Sequence, residues 1–387
     1  MLSYPQLPWS AQDLPELLRA AIEKYRDQAD DLRRIPPELL DQLRANGAFR
    51  LNTPRELGGF ELPVASTMSV LERLARIDGP VAWVVWNLNA GFAAAFMSEV
   101  DADRVWSDGP DPLIAHSSRP GLLTQTEDGY RLSGEWKLVS GVDSAEWLGL
   151  LAVVVDGGQP RVTEAGLDAR FCLVPRSSVT VLDSWQAVSM RATGSNTVIA
   201  RDVAVPAGMT VAPTAAPRID RPLFRVPVIN QITAGGAAVL IGMAQAAIDE
   251  VVALSQTKTG PDGTPLAHQP RVQAVLGQAA ARLGAARALL LTSVGALDAA
   301  AMAGRRPATE AERGTVRGAI CHAAETARIV LTSMYEVSGS SVLYESSRLG
   351  RIFRDGHAGA QHLIMSAAHY EMAGRTIIGL PADDPSL

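Results

Sequence analysis

The 387-residue chain is poor in cysteine: it has only Cys172 and Cys321, and both lie in apolar stretches. Two isolated thiols give no disulfide framework and are typical of a reducing compartment, so we expect a cytoplasmic protein. The segment from Met1 to Gln12 lacks a basic stretch followed by an apolar one. No secretory signal peptide is therefore predicted.

The chain also lacks an excess of basic residues and a long hydrophobic run. It carries 35 Lys and Arg against 41 Asp and Glu, a net charge of −6, so we expect neither nucleic acid nor a membrane as a partner. The longest apolar stretch, near Ile232 to Ala244, is rich in Ala and Gly and too short to span a bilayer. The 47% of residues that are hydrophobic are therefore expected to build a folded core.

Several motifs that bind nucleotides, metals or acyl groups are missing. No Gly-x-Gly-x-x-Gly follows a predicted strand, no Gly-Lys dipeptide exists for a phosphate-binding loop, and no Gly-x-Ser-x-Gly elbow is present. Of the six histidines only His357, His362 and His369 are close in sequence, and the two cysteines add no short zinc pattern. The sequence therefore predicts no metal site.

Apolar periodicity divides the chain into three regions. Helical spacing dominates the beginning and returns from Val228 to the end, whereas short runs rich in β-branched residues fill the middle. The predicted helices are Leu14 to Asn46 with a break at Pro36-Pro37, Ser66 to Ile77, Pro80 to Met97, Val228 to Gln256, Gln269 to Met302, Glu310 to Val337 and His357 to Ala373. The predicted strands are Tyr130 to Leu138 with a turn at Ser133-Gly134, Leu148 to Val155, Phe171 to Val174, Val179 to Leu182 and Val198 to Val205.

Helices and strands that are segregated along the chain predict an α+β protein. We expect an N-terminal α-helical domain over residues 1–110 and a central antiparallel β-barrel, or a sandwich, over residues 111–215. The long Ala- and Leu-rich helices of residues 216–387 predict a C-terminal four-helix bundle.

Four segments resemble those of one known family. They are residues 183–197 (DSWQAVSMRATGSNT), residues 354–362 (RDGHAGAQH), the stretch from Gly134-x-Trp136 to Ser140-Gly141, and residues 106–111 (WSDGPD). Together with the helix–barrel–helix order, they resemble the acyl-CoA dehydrogenase fold over nearly the whole chain. Within that fold, the sequence looks most like the two-component flavin-dependent monooxygenases, sometimes called group D, which include hydroxylases of phenols and aromatic polyketides.

The placement of acidic residues favours oxygenation over dehydrogenation. A dehydrogenase of this family needs a carboxylate base near the flavin. The resemblance places that base either near Leu363 or in the first long helix of the bundle. Residues 356–370 and 222–248 contain no Asp or Glu, and the acid closest to the first position is Glu371. The alternative is a dehydrogenase that recruits Glu371 or another acid.

The resemblance implies that reduced flavin and O2 form a C4a-hydroperoxide inside a dry pocket. It assigns His362 and Ser140 as the catalytic residues, His362 for proton movements near C4a and Ser140 for bonding to N5 or to the peroxide. The alternatives are a histidine satisfied within a helix interface and an ordinary turn serine before Gly141. His369 follows seven residues after His362, which predicts that both lie on the same face of the last helix.

Further residues are candidates for binding the flavin and the substrate. The flavin candidates are Trp136, Ser140, Arg191, Thr193, Gly194 and Ser195. The substrate candidates are Trp86, Asn87, Asn89, His116 and His369. It stays open whether Trp136 is a core residue, whether Arg191 pairs with an acid, and whether His116 lies in an exposed loop. Arg354 and Asp355 are expected to form an ion pair, with Asp355 capping the last helix.

We therefore predict a monooxygenase that takes reduced FMN or FAD from a separate reductase, uses O2, and hydroxylates an aromatic or polyketide-like small molecule. The reductase is implied because the sequence shows no nicotinamide site. A dimer or homotetramer is expected. The alternatives are N-oxygenation of an amine or amino sugar, an acyl-CoA dehydrogenase-type enzyme, and a helical assembly protein that binds no flavin.

Overall fold

The computed structural model describes residues 2–163, 166–260, 263–305 and 308–382 of the chain. Helices, then strands, then helices follow one another, as the sequence predicts. The N-terminal helices of the described part are α1 (Leu14–Leu32), α2 (Pro37–Ala45), α3 (Val64–Ile77), α4 (Gly79–Leu88) and α5 (Glu99–Val105). The helix predicted from Pro80 to Met97 ends at Leu88 instead, and a 3₁₀ segment, Gly91–Phe96, follows it.

Helix α4 is buried along its entire length, and carboxylates hold both α4 and its neighbour α3 at their first turns. Asp78 caps α4 by accepting a hydrogen bond from the backbone N–H of Val81 at 3.0 Å. The first residues of α3 depend on a distant partner, because Asp298 of a later helix accepts from the N–H groups of Val64 and Ala65. These contacts fix the helices that carry the site.

The central region is a mixed sheet. Its strands are β1 (Ile114–Thr126), β2 (Gly129–Val139), β3 (Trp147–Asp156), β4 (Gln159–Pro160), β5 (Val162–Thr163), β6 (Gly166–Leu167), β7 (Ala169–Pro175), β8 (Thr180–Leu182), β9 (Asn196–Pro206) and β10 (Thr210–Val211). Among the described residues the order is β10-β7-β3-β1-β2-β9-β8, with β4 beside β3 and β5 paired with β6. The expected antiparallel pairing is corrected at β1 and β3, which run parallel with Ile114 opposite Trp147. The chain crosses from β2 to the far side of β1 before β3 begins.

Strand β2 runs unbroken through Ser133-Gly134, so the turn predicted there is wrong. The glycine serves close packing instead, because a Cβ at Gly134 would lie 2.8 Å from the indole of Trp136. The register of β2 against β9 shifts between Leu132 and Gly134. A glycine within an irregular strand therefore has the same sequence signature as a turn.

The described chain beyond the sheet is helical again. Its helices are α6 (Pro222–Arg225), α7 (Val228–Thr257), α8 (Pro270–Met302), α9 (Glu310–Val337), α10 (Arg348–Gly359) and α11 (His369–Ile377). Helices α7, α8 and α9 match their predicted ranges to within one residue at each end. The helix predicted from His357 to Ala373 is wrong, because α10 ends at Gly359, a 3₁₀ turn covers Leu363–Met365, and α11 begins at His369.

Helix α7 lies at the centre of this bundle and packs against α3, α4, α9 and α10. By length and composition α7 and α8 could each cross a membrane, and 67% and 39% of their most apolar stretches are buried inside the protein. The apolar character of α7 is therefore explained by helices on most of its sides.

Candidate functional site

Four aromatic rings form a cluster between α4, β1 and the break after α10. Trp83 and Trp86, one helical turn apart on α4, meet edge to face with their centroids 4.7 Å apart. The ring of His362, from the break, lies 5.7 Å from Trp83 and 6.1 Å from Trp86. His116 on β1 also contacts Trp86, at 6.5 Å between centroids. Two indoles and two imidazoles thus form one ring cluster.

The position of Trp86 depends on two glycines of α7. A Cβ at Gly235 would lie 2.5 Å from Cδ1 of the indole, and a Cβ at Gly236 would lie 2.9 Å from Cη2. The indole N–H donates to the carbonyl of Ile232 at 2.8 Å. Glycine weakens a helix interior, so the close approach of Trp86 gives a physical reason for this pair.

His362 caps the 3₁₀ turn Leu363–Met365, and the backbone N–H of Ile364 donates to its Nδ1 at 3.3 Å. Since a backbone N–H can only donate, Nδ1 is unprotonated and Nε2 carries the proton of the neutral ring. Burial lowers the pKa of His362 to about 4. At neutral pH the side chain is therefore an uncharged hydrogen-bond donor through Nε2.

His116 has the opposite tautomer. Its Nδ1 lies 2.8 Å from the carbonyl oxygen of Asn87, and a carbonyl can only accept, so Nδ1 carries the proton. Burial lowers the pKa of His116 to about 4, and repulsion from His362, when that ring is protonated, lowers it further. The bond to Asn87 opposes this shift. Nε2 of His116 is therefore an acceptor at neutral pH.

A chain of hydroxyl groups begins at Trp83. Its indole N–H donates to Oγ of Ser140 at 3.2 Å, and Ser140 lies 2.8 Å from Oγ of Ser195. Ser195 lies 2.6 Å from Oγ1 of Thr193, which donates to the carbonyl of Met190 at 2.8 Å. Ser140 follows β2, and the other two hydroxyls lie in the turn before β9, so the chain joins two neighbouring strands.

The direction of this hydroxyl chain is set by its ends, because an indole N–H only donates and a carbonyl only accepts. Thr193 gives its proton to Met190, so Ser195 donates to Thr193. Ser140 in turn donates to Ser195 and keeps one lone pair, which can accept from a further N–H group. Reduced flavin carries an N–H at N5, whereas oxidised flavin has an acceptor there. This free acceptor therefore fits the reduced form of the flavin that the resemblance implies.

A cavity of about 60 Å³ lies between the sheet, the 3₁₀ segment Gly91–Phe96 and the start of α7. Sixteen described residues line it, and within that lining His116 carries the only polar side chain. Phe92, Phe96 and Phe171 supply aromatic surface. The cavity is suited to an apolar ligand that makes one directional hydrogen bond.

The turn before β9 places the remaining flavin candidates. Gly194 has a left-handed backbone with φ +51°, and a Cβ there would lie 2.8 Å from the carboxylate of Asp143. The guanidinium of Arg191 donates to the carbonyls of Asp30 and Ala187 at 3.0 and 3.2 Å, and it pairs with the carboxylate of Asp30 at 3.3 Å. These contacts tie the turn to α1 and agree with the alternative that Arg191 pairs with an acid.

Trp136 and Asn89 have their polar atoms bonded within the protein. Trp136 is fully buried, and its N–H donates to the carbonyl of Leu151 at 3.0 Å, as expected of a core residue. The buried amide of Asn89 bonds three backbone groups, those of Leu51, Ala48 and Val85. Asn89 therefore joins α4 to the segment that follows α2.

Asn87 and His369 position the two histidines of the ring cluster. Asn87 accepts from His116 through its backbone, and its buried Oδ1 has no partner among the described residues. His369 donates from Nε2 to the carbonyl of Leu363 at 3.1 Å. The prediction that His369 and His362 share a helix face is wrong because the helix is broken between them. His369 instead braces the turn that carries His362.

The carboxylates of Asp355 and Glu371, in and after the motif of residues 354–362, do not bond to the ring cluster. Asp355 accepts from the backbone N–H of Met190 and lies near the end of α10, so the predicted role as a helix cap is wrong. Burial raises the pKa of Asp355 to about 7. Glu371 is exposed in the first turn of α11. Among the described residues, no carboxylate bonds to the four rings or to Ser140.

Sequence reasoning missed part of this site. It did not single out Trp83, the glycine pair of α7, or the cavity walls formed by Phe92 and Phe171. A Trp-x-x-Trp spacing on an apolar helix and a Gly-Gly step inside a long helix were the available signals. Strand β1, which carries His116, was also not predicted, because Pro120 and Gly121 interrupt its pattern.

Two family models match the chain. The N-terminal domain of acyl-CoA dehydrogenase matches residues 11–99, and the C-terminal domain of acyl-CoA dehydrogenase matches residues 234–367. The first match includes Trp83 and Trp86, and the second includes Gly235, Gly236 and His362. The matched segments therefore carry three of the four rings.

Known relatives align with nearly the whole chain. Indole-3-acetate monooxygenase of Pseudomonas putida is 28% identical, covering 96% of this chain and 96% of its own length. The oxygenase subunit HsaA of a flavin-dependent monooxygenase from Rhodococcus jostii is 29% identical, covering 95% and 98%. A solved structure of XiaF from Streptomyces with FADH2 and glycerol matches with a TM-score of 0.88 at 27% identity, covering 97% and 98%.

Proposed function

Because the chain belongs to the acyl-CoA dehydrogenase family and its relatives include flavin-dependent oxygenase components, we propose that it is the oxygenase component of a two-component flavin-dependent monooxygenase. It takes reduced flavin from a separate reductase and hydroxylates an aromatic small molecule with O2. The observation that carries this proposal is the neutral imidazole of His362 in the ring cluster, where dehydrogenation would require a carboxylate.

Each part of the site has a role in this reaction. The flavin, when bound, supplies the activation of O2. Ser140, Thr193 and Ser195 would hold it, with the free lone pair of Ser140 accepting a hydrogen bond from the reduced ring. His362 keeps a proton on Nε2 for donation during oxygen transfer. The indoles of Trp83 and Trp86 exclude water, which strengthens the hydrogen bonds inside the site.

We also propose a homotetramer that works in the cytoplasm. Large apolar side chains are exposed on the bundle, which is typical of a surface that is covered by other subunits. They include Leu289, Ile329, Leu343, Tyr344, Ile377 and Ile378, with exposed fractions from 40% to 84%. Light scattering of the purified protein measures the oligomeric state directly, and a monomer or a dimer would contradict this part of the proposal.

The test of the proposed reaction supplies reduced flavin without a reductase. FMN or FAD is reduced photochemically under anaerobic conditions and mixed with the protein, a panel of phenols and O2. We expect an oxygenated product from at least one phenol. If O2 is recovered only as hydrogen peroxide with every phenol and both flavins, the proposal is wrong.

A matched pair of histidine variants separates catalysis from folding. His362→Asn keeps a side-chain acceptor for the N–H of Ile364 but removes the imidazole, so product formation should fall roughly tenfold or more. His357→Ala is the control, because His357 bonds Thr332 at 3.2 Å outside the ring cluster. Product formation by His362→Asn at the wild-type level would exclude His362 from the reaction.

A further inference from the structure

The cavity beside the ring cluster has an unusual lining. Fifteen of the sixteen described residues around it have apolar side chains or none, and His116 is the exception. No Lys or Arg is present in that described lining. A ligand in this cavity therefore finds apolar walls, one polar group and no cation to pair with an anionic substituent.

The imidazole of His116, the polar group of this lining, is held in one tautomer. The N–H of Nδ1 is bonded to the carbonyl of Asn87 at 2.8 Å, which leaves Nε2 of His116 as an acceptor. The other imidazole of the ring cluster, His362, presents an N–H from its own Nε2 because its Nδ1 accepts from Ile364. The ring of Trp86 contacts both imidazoles. The indole of Trp86 thus contacts His116, which presents an acceptor, and His362, which presents a donor.

We propose that Nε2 of His116 accepts a hydrogen bond from the substrate and thereby determines its class: a small, uncharged aromatic molecule with an O–H or N–H group. An isostere without that group leaves a buried acceptor unpaired and binds more weakly. An arylacetate that enters the cavity loses the hydration of its carboxylate, and no Lys or Arg of the described lining pairs with that carboxylate. This inference rests on the proposed function, since it identifies the cavity as the substrate side of the same site.

The size of the cavity supports a small ligand. Its volume of about 60 Å³ is below the roughly 150 Å³ of an engineered cavity that binds benzene. The cavity must widen even for a single ring, and a larger fused ring system is disfavoured further. Among aromatic molecules, those of one or two rings therefore require the least widening of the cavity, and indole and phenol also supply the hydrogen bond.

The test measures binding to the purified protein without added flavin, so it does not depend on turnover. Calorimetry compares indole with benzofuran, which has the same shape without the N–H, and with indole-3-acetate. We expect indole to bind roughly tenfold to a hundredfold more tightly than benzofuran, and more tightly than indole-3-acetate. Equal affinities for indole and benzofuran, or no binding of indole at millimolar concentration, would overturn the proposal.

Variants assign the preference to His116. His116→Phe keeps a ring in the cavity but removes the acceptor, so indole should bind only as tightly as benzofuran. If His116→Phe fails to fold, His116→Leu is used in its place. Val211→Ala, a change in the apolar wall, should weaken both ligands equally. An unchanged ratio in the folded His116 variant would refute the assignment. If the ratio behaves as expected but reduced flavin gives no product, the proposed reaction fails and this binding site stands.

Discussion

Replacing Asp355 with Asn should change how the stability of the protein depends on pH. Asp355 is only 3% exposed, and its Oδ1 accepts a hydrogen bond from the backbone N–H of Met190. Burial is the largest cause that raises the pKa of Asp355 from 3.8 to about 7. The N–H of Met190 and the charge of Arg351 oppose this shift, and Asp78 and Asp30 add to it.

The sign and size of the effect follow from this pKa. The folded state binds the proton of Asp355 more tightly than the unfolded chain does, so the free energy of unfolding falls as the pH rises from about 4 to about 7. A difference of about three pKa units corresponds to about 4 kcal/mol. Asn keeps an oxygen for the N–H of Met190 but carries no charge, so the variant lacks this loss of stability.

Thermal melting of both proteins between pH 5 and pH 8 is the assay. The variant should already melt slightly higher than the wild type at pH 5, because the effect begins near pH 4. The difference in melting temperature should widen up to about pH 7 and reach several degrees at the alkaline end. Asp78, whose pKa is also raised by burial, leaves a residual slope in both.

The control is Asp27→Asn. The side chain of Asp27 is 79% exposed in its ion pair with Arg351, so this change should alter stability by no more than about 1 kcal/mol. Parallel melting curves for wild type and Asp355→Asn over the whole pH range would refute the reasoning about the buried carboxyl group.

Three further predictions concern the site, the helices around it and the thiols. Ser140→Ala removes the hydroxyl whose free lone pair would accept a hydrogen bond from reduced flavin, so the affinity for reduced flavin should fall roughly tenfold in an anaerobic titration. An unchanged affinity would contradict the assigned role. Asp298→Ala removes both hydrogen bonds at the start of α3 and should lower the free energy of unfolding by about 1–3 kcal/mol. The melting temperature should therefore fall, and Asp298→Asn, which keeps one acceptor oxygen, should partly restore it. Burial raises the pKa of Cys172 to about 12 and raises that of Cys321, so both thiols should react with an aromatic disulfide reagent much more slowly in native protein than in urea. Rapid labelling of native protein would show that the thiols are accessible.

Local signals were sufficient for the helices whose ends are determined by nearby residues. Helix α9 occupies its predicted range, Glu310–Val337, because Thr309 and Glu312 form a capping box at its start. The break at Pro36-Pro37 was likewise predictable, since α2 begins at Pro37. In such places the residues that set the boundary adjoin it in the sequence.

Tertiary contacts explain the largest error. The apolar pattern continues after Gly359, but the chain turns there because His362 caps a new turn and Met365 packs against α7. A Cβ at Gly236 would lie 2.7 Å from the terminal methyl group of Met365. Neither contact is visible in a local pattern, so the sequence predicted one helix where the structure has a loop.

Several candidate residues of the site could likewise be predicted from the sequence, but their hydrogen bonds could not. Residue types and a family resemblance were enough to single out His362, Ser140 and His116 as candidates. The tautomers of the two histidines could not be predicted, because they depend on the carbonyl of Asn87 and the N–H of Ile364. Backbone groups of this kind carry no residue-specific signal, so the direction of each hydrogen bond emerges only from the folded chain.

The most direct test of the proposed reaction is a single turnover with isotopically labelled O2. Photochemically reduced flavin, the wild-type protein and a small phenol are mixed with labelled O2, and the product is analysed by mass spectrometry. The proposed monooxygenase inserts one labelled oxygen atom into each product molecule, with the amount of product limited by the reduced flavin supplied. Product without the label, or labelled hydrogen peroxide with no oxygenated product, would contradict the proposed function.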